Sequence, residues 1–182
     1  MLYIDSNNLY GHSQTCRLPM AGYKWMSEED MAAMDWSVAD PNSERGYFVE
    51  VDLEYPSHLH DAHNTFPLAP HHMTITEDTL SPYTRKCLTT LRESHGSNQS
   101  TYKSTKLVTT FLPRQRYLVH YVNLALYLSL GMRLTKVHRA IQFIQADFLA
   151  PYIAFCTQKR KASKSQFRKR MFKRKIFLFI GL

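Results

Sequence analysis

The stretch that most limits what this chain can fold into runs from Gly46 to Tyr55. Tyr47, Val49, Val51, Leu53 and Tyr55 alternate there with Phe48, Glu50, Asp52 and Glu54. Successive side chains of a strand point to opposite faces, so this pattern dictates a strand with one apolar, buried face. Such a strand needs partners beside it and a layer packed on its apolar side. Pro56 ends it, having no N–H for a ladder.

Other elements can be read around it. Tyr3 to Asp5 reads as a strand end and Asn8 to Gln14 as a helix start, broken by Leu18-Pro19. Ser27 before Glu28, Glu29 and Asp30 is an N-cap with acids in the first turn, and predicts a short helix carrying Met31 and Met34. Met20, Met26, Met31 and Met34 read as core filler. Asp40-Pro41-Asn42 is a turn. His58 to His72, with Pro67 and Pro70, reads as a loop, and Ser94 to Ser104 as a polar linker. Val119, Val122, Leu126 and Leu130 predict a helix over Tyr117 to Leu130, closed by Gly131. Arg133 to Phe143 reads as a strand carrying Arg133, Lys136 and His138. Asp147 to the end reads as one long helix, basic after Thr157. There is no internal repeat.

At 182 residues, 44% hydrophobic and 21% charged, the chain fits one globular domain. Its net charge of +8 suits a polyanionic partner. The excess is local: ten cations lie between Lys159 and Lys175 with no acid among them. That run reads either as a nucleic-acid contact or as a solvated or targeting patch. Cys16, Cys87 and Cys156 are odd in number and far apart, which argues against a disulfide framework and a zinc site. With no basic leader before an apolar core at Met1 to Tyr10, the expected place is intracellular, nucleus or cytoplasm, and not secreted. The apolar run Ile176 to Leu182 is far shorter than the ~20 residues of a membrane helix. His58, His60, His63, His71 and His72 raise a metal reading, but without clustered Cys they are expected to make loop hydrogen bonds.

The first residues carry the chemistry. Leu2-Tyr3-Ile4 leads into Asp5-Ser6-Asn7-Asn8-Leu9-Tyr10-Gly11. On the residues alone, an acid followed by two Asn reads first as a turn or helix cap. The other reading is an acid for Mg²⁺, backbone N–H groups for phosphate and an aromatic for a sugar. This segment resembles motif A of family B DNA polymerases, Asp-x-x-Ser/Asn-Leu-Tyr-Pro/Gly. The blocks Gly46 to Pro56, His58 to Asp61, Phe66 to Pro70, Tyr117 to Leu130 and Leu134 to Arg139 are similar to the protein-primed subgroup, found in viruses, linear plasmids and large self-replicating DNA transposons.

The resemblance implies an α+β fold: a partial polymerase palm with antiparallel strands, an insertion after motif A and a basic fingers helix. The implied divisions are a palm segment at 1–45, an insertion handling a terminal protein and duplex at 46–115, a palm–fingers connection at 116–150 and the fingers helix at 151–182. It implies Asp5 as the catalytic metal ligand of a two-Mg²⁺ site, with the Ser6 carbonyl beside it. Asn8 and Leu9 would meet the triphosphate with their N–H groups, and Tyr10 would stack under the deoxyribose. Arg160, Lys161, Lys164 and Lys173 would hold the incoming nucleotide, and Lys169 and Arg170 the DNA. The implied partners are a primer–template, a dNTP and a terminal priming protein, with no membrane.

Two departures matter. The family's later acids, in Tyr-x-Asp-Thr-Asp, do not occur in this sequence. After Lys173, Arg174-Lys175-Ile176-Phe177-Leu178 stands where motif B, Lys-x-x-x-Asn-Ser-x-Tyr-Gly, would continue. The expectation is a polymerase fragment inactive alone. The alternatives are a non-catalytic nucleic-acid-binding protein using the basic C-terminal helix, or a transposon-derived relic.

Overall fold

The computed structural model describes residues 9–95 and 102–177. Along the chain these form α1 (Leu9–Thr15), β1 (Leu18–Trp25), α2 (Glu28–Ala33), β2 (Arg45–Glu54), β3 (His71–Thr76), α3 (Pro82–His95), β4 (Lys103–Val108), β5 (Arg114–His120), α4 (Tyr121–Ser129), β6 (Arg133–Ala146), α5 (Ala150–Ala162) and α6 (Gln166–Phe177). The fold is α+β. One antiparallel sheet has the order β1-β6-β2-β5, and β3 and β4 form a separate antiparallel pair.

The alternating strand is an inner strand. β2 pairs with β6 from Arg45–Ile144 to Glu54–Arg133, and with β5 from Phe48–His120 to Leu53–Arg114. Val49, Val51, Leu53 and Tyr55 are buried as the alternation requires. They share one core with Trp36, Val119, Leu124, Met132 and Ala140. Met31 and Met34 beside α2, and Tyr127 and Leu128 of α4, pack on that core, so both helices cover the same sheet face. The Ser27 hydroxyl caps α2, accepting from the Asp30 N–H at 3.1 Å. Gly131, at φ +97°, closes α4: its N–H reaches the Leu128 carbonyl and that of Met132 the Tyr127 carbonyl, satisfying two end carbonyls.

Several expectations are corrected. Tyr117 to His120 belongs to β5, and the helix starts at Tyr121. Pairing of Tyr117 with Val51 and Val119 with Val49 sets this stretch, and such cross-strand contacts override a local helical period. The buried residues of α4 are accordingly Tyr121, Leu124 and Ala125, while Leu126 and Leu130 are exposed. β1 and α3 have no counterpart in the sequence reading. Pro19 is tolerated in β1 because that strand is an edge. His71 already begins β3, and Ser94 still lies in α3. Met20 is exposed rather than core filler. The long C-terminal helix is two helices. Ser163 adopts an extended conformation, and the turn after it lets Phe172 fold back onto Ile153 and Cys156.

Candidate nucleotide and nucleic-acid interface

The expected metal and phosphate residues Asp5, Ser6 and Asn8 lie outside the described residues. The rest of their segment forms α1. Leu9 and Tyr10 open it, both mostly exposed. The Ser13 hydroxyl donates to the Leu9 carbonyl at 3.0 Å and that of Thr15 to the His12 carbonyl at 2.7 Å. Gly11 and Gln14 are buried.

α1 sits against α5. Ile153 and Cys156 anchor α5 to α6 with Tyr152 and Phe172. Pro151 suits the first turn, where its absent N–H costs nothing. Lys159, Arg160 and Lys161 occupy the last turn, where cations face the negative end of the helix dipole. Between α1 and α5 opens a cleft of about 480 Å³, lined by Gly11, His12, Thr15, Thr157, Gln158 and Lys161 over an apolar floor from Ile153 and Ala154.

The expected nucleotide ligands are thus partly gathered and partly spread. Lys161 lines the cleft opposite Gly11, His12 and Thr15 of α1, whereas Tyr10 does not line it. Arg160 is half-buried beside it on α5. Lys164 lies in the break between the helices, and Lys169, Arg170 and Lys173 lie on α6; none of these four lines the cleft. The cleft offers an ammonium, an imidazole, two hydroxyls and an amide, a donor set suited to an anion. Its lining holds no carboxylate.

The loop histidines have other work. The Tyr55 hydroxyl lies 2.7 Å from His63 Nδ1 and also accepts the Leu68 N–H at 3.2 Å. His60 stacks on Phe111 with ring centres 4.3 Å apart. Among the described residues no three of His, Cys, Asp or Glu converge to hold a metal. None of their helices is long and apolar enough to cross a membrane.

Sequence reasoning missed a second charged site, on the sheet face opposite the α2–α4 layer. Glu50 looked like a solvent-side residue but is 7% exposed. The Arg139 Nε donates to its Oε2, and Arg116 Nη1 to its Oε1 at 3.3 Å. The Arg139 hydrogen bond, helped by both cationic charges, holds the Glu50 carboxyl below its usual range. Asp52 accepts the Arg116 N–H at 2.7 Å and lies 2.8 Å from His138 Nε2. Those bonds lower its pKa in the same order. Arg133 pairs with Glu54. The only signal in the sequence was two basic residues, Arg116 and Arg139, at unmarked positions in strands; register sets Arg139 opposite Glu50, and Arg116 reaches the same carboxylate from an irregularity in β5, where its φ is +50°.

The chain matches no family model, and no curated protein or solved structure is similar enough to it to show kinship.

Proposed function

We propose that this chain is part of a protein-primed family B DNA polymerase, carrying the first palm motif and the start of the nucleotide-binding fingers. The observation that carries this reading is the cleft in which the segment following Asp5 faces Lys161 of the basic helix. Gly11, His12 and Thr15, six to ten positions after Asp5, and Lys161, about 150 positions further on, border one space. Anion-binding groups line it. In this reading Lys161 and His12 hold the phosphates of a dNTP, and Tyr10, at the open end of α1, packs against the sugar. When bound, Mg²⁺ at Asp5 would supply charge stabilisation for attack on the α-phosphate. The palm assignment of the four-stranded sheet belongs to the same proposal.

Titration calorimetry with dATP and Mg²⁺ tests it. A charge-assisted contact to phosphate is worth about tenfold in affinity, so Lys161→Ala should weaken dATP by roughly that factor, and Asp5→Ala should remove its Mg²⁺ dependence. Primer extension by the chain alone should be absent, because the second set of palm acids is missing. Binding of dATP that neither variant changes would sink the reading.

A second reading rests on the α5–α6 pair. Arg168, Arg170 and Lys173 are exposed on α6, and Phe167 beside them is 76% exposed. This surface alone could hold duplex DNA without chemistry, with affinity falling steeply in salt. Deleting it would uncover Ile153 and Cys156, so charge reversal is the cleaner test. Arg168→Glu with Arg170→Glu should abolish duplex binding if this reading holds and leave dATP binding intact.

A further inference from the structure

We infer that the sheet face opposite the α2–α4 layer is a stacking platform for single-stranded DNA, with Trp25 as its principal base contact and Arg116 and Arg139 as its phosphate contacts. The inference is independent of the nucleotide cleft and of the basic C-terminal helices.

Strand register puts the residues together. Trp25 of β1, Arg139, Ile141 and Phe143 of β6, Phe48 and Glu50 of β2, and Leu118 and His120 of β5 share this face, joined by Tyr23 through its contact with Phe143 and by Arg116 through its bond to Glu50. Trp25 pairs with Ile141, Phe48 with Ile141 and His120, and Glu50 with Arg139 and Leu118. The register of β1 shifts between Ala21 and Lys24, where Gly22 has φ +68°. A bulge of this kind re-aims the side chains that follow. Here it leaves the Tyr23 ring 6.0 Å from that of Phe143, on the open face.

The rings are outward and supported. Trp25 is 58% exposed and Tyr23 56%. Beneath Tyr23, Phe143 is buried against Phe48 at 5.0 Å, and Phe48 lies 5.4 Å from His120. Burial keeps His120 below its usual pKa, so the raft is uncharged at neutral pH. Two aromatic residues two positions apart on an extended strand stand about 7 Å apart, close to the spacing of successive bases in an extended single strand.

The charges are fixed in place. The Arg139 guanidinium lies 5.3 Å from the Trp25 ring and is held by Glu50 from below. Arg116 meets the other oxygen of Glu50 with one Nη1 donor. Each guanidinium has five donors, so both retain several for phosphate. Along this face Glu50, Asp52 and Glu54 are matched one for one by Arg139, Lys136 and Arg133 in the β2–β6 register, so Arg116, which shares Glu50, leaves one positive charge in excess near the two exposed rings. That combination holds single strands with little sequence preference, since every base has a flat face and every linkage a phosphate. Duplex DNA hides its base faces and cannot use the rings.

Fluorescence tests this directly. The chain has two tryptophans, and Trp36 is buried in the core, so quenching on addition of (dT)12 reports Trp25. The expected result is saturable quenching, with fluorescein-(dT)12 anisotropy giving the same affinity. Trp25→Ala should weaken (dT)12 roughly tenfold, and Trp25→Phe should retain most of the affinity. Arg116→Gln should reduce the salt slope by about one phosphate contact. Circular dichroism and Trp36 emission confirm that the Trp25 variants are folded. The comparisons are made in an Arg168→Glu/Arg170→Glu background, which removes the basic-helix surface, and three outcomes there would overturn the inference: no quenching, Trp25→Ala binding (dT)12 as strongly as its parent does, or (U)12 or duplex binding more tightly than (dT)12. Loss of dATP binding in Lys161→Ala bears on the polymerase reading alone.

Discussion

Replacing Gly46 by alanine should destabilise the protein although alanine is the better strand residue. Gly46 lies opposite Phe143 in the β2–β6 ladder. A Cβ there would stand 2.3 Å from Phe143 Cε2, 2.6 Å from its Cζ and 2.7 Å from Gln145 Oε1. Ordinary contacts begin near 3.4 Å, so the ring or the amide must move. Neither can move freely. Phe143 is 1% exposed and wedged among Tyr23, Phe48 and His120. Gln145 is 2% exposed, and its Nε2 donates to the Ser43 carbonyl at 2.8 Å and the Tyr121 hydroxyl at 3.0 Å. Overpacking costs about 1–3 kcal/mol, and each weakened buried hydrogen bond about 1 kcal/mol. The alanine gains back roughly 0.5–1 kcal/mol from the lower entropy of the unfolded chain. The net is a loss of about 2 kcal/mol, or a Tm lower by roughly 4–8 °C for a chain of this size. Thermal and urea unfolding followed by far-ultraviolet circular dichroism measures it. In a Phe143→Leu background the ring is gone, so Gly46→Ala should cost less than about 0.5 kcal/mol. A Tm unchanged or raised by Gly46→Ala, or an equal loss in both backgrounds, would refute the argument.

The remaining predictions are shorter. Glu50 has a folded pKa below its ordinary 4.5, so its contribution is complete above pH 4.5 and is lost as pH falls through the lower folded value. Urea midpoints at pH 7, 5 and 3 should therefore separate wild type from Glu50→Gln most at pH 7 and least at pH 3; a constant gap contradicts the ion-pair account. Leu124 is fully buried under the sheet, so Leu124→Ala should cost about 3 kcal/mol, seen as a lower urea midpoint. Ser27→Ala removes the cap of α2 and should cost about 1 kcal/mol, while Ser27→Asp should cost close to nothing; equal losses for both would show that the cap bond is not what is being measured.

Local chemistry in the sequence determined the elements whose signals are local. The alternation of Gly46 to Tyr55 fixed a strand and its inner face, because a period of two has one buried solution. Ser27 with three acids fixed the start of α2, and Gly131 the end of α4, because each supplies a group or a backbone angle that the helix end needs. Arg133 to Phe143 was legible as a strand, though not its extension to Ala146. The tertiary structure decided what depends on distant partners. Tyr117 to His120 became a strand because Val49 and Val51 stand opposite. The C-terminal run became two helices because Phe172 has Ile153 and Cys156 to cover. At the candidate cleft the sequence named Lys161, but only packing of α1 on α5 set it around one space with His12 and Thr15; Tyr10 opens α1 and does not line that space. Glu50 shows the limit most clearly: its period places it on the polar side, and only the sheet, by the β6 register and the irregularity of β5, reveals the two arginines that let a carboxylate be buried there. A pattern along the chain reports which way a side chain points. What it meets there is set by pairing across some 65 to 90 residues, which no local pattern encodes.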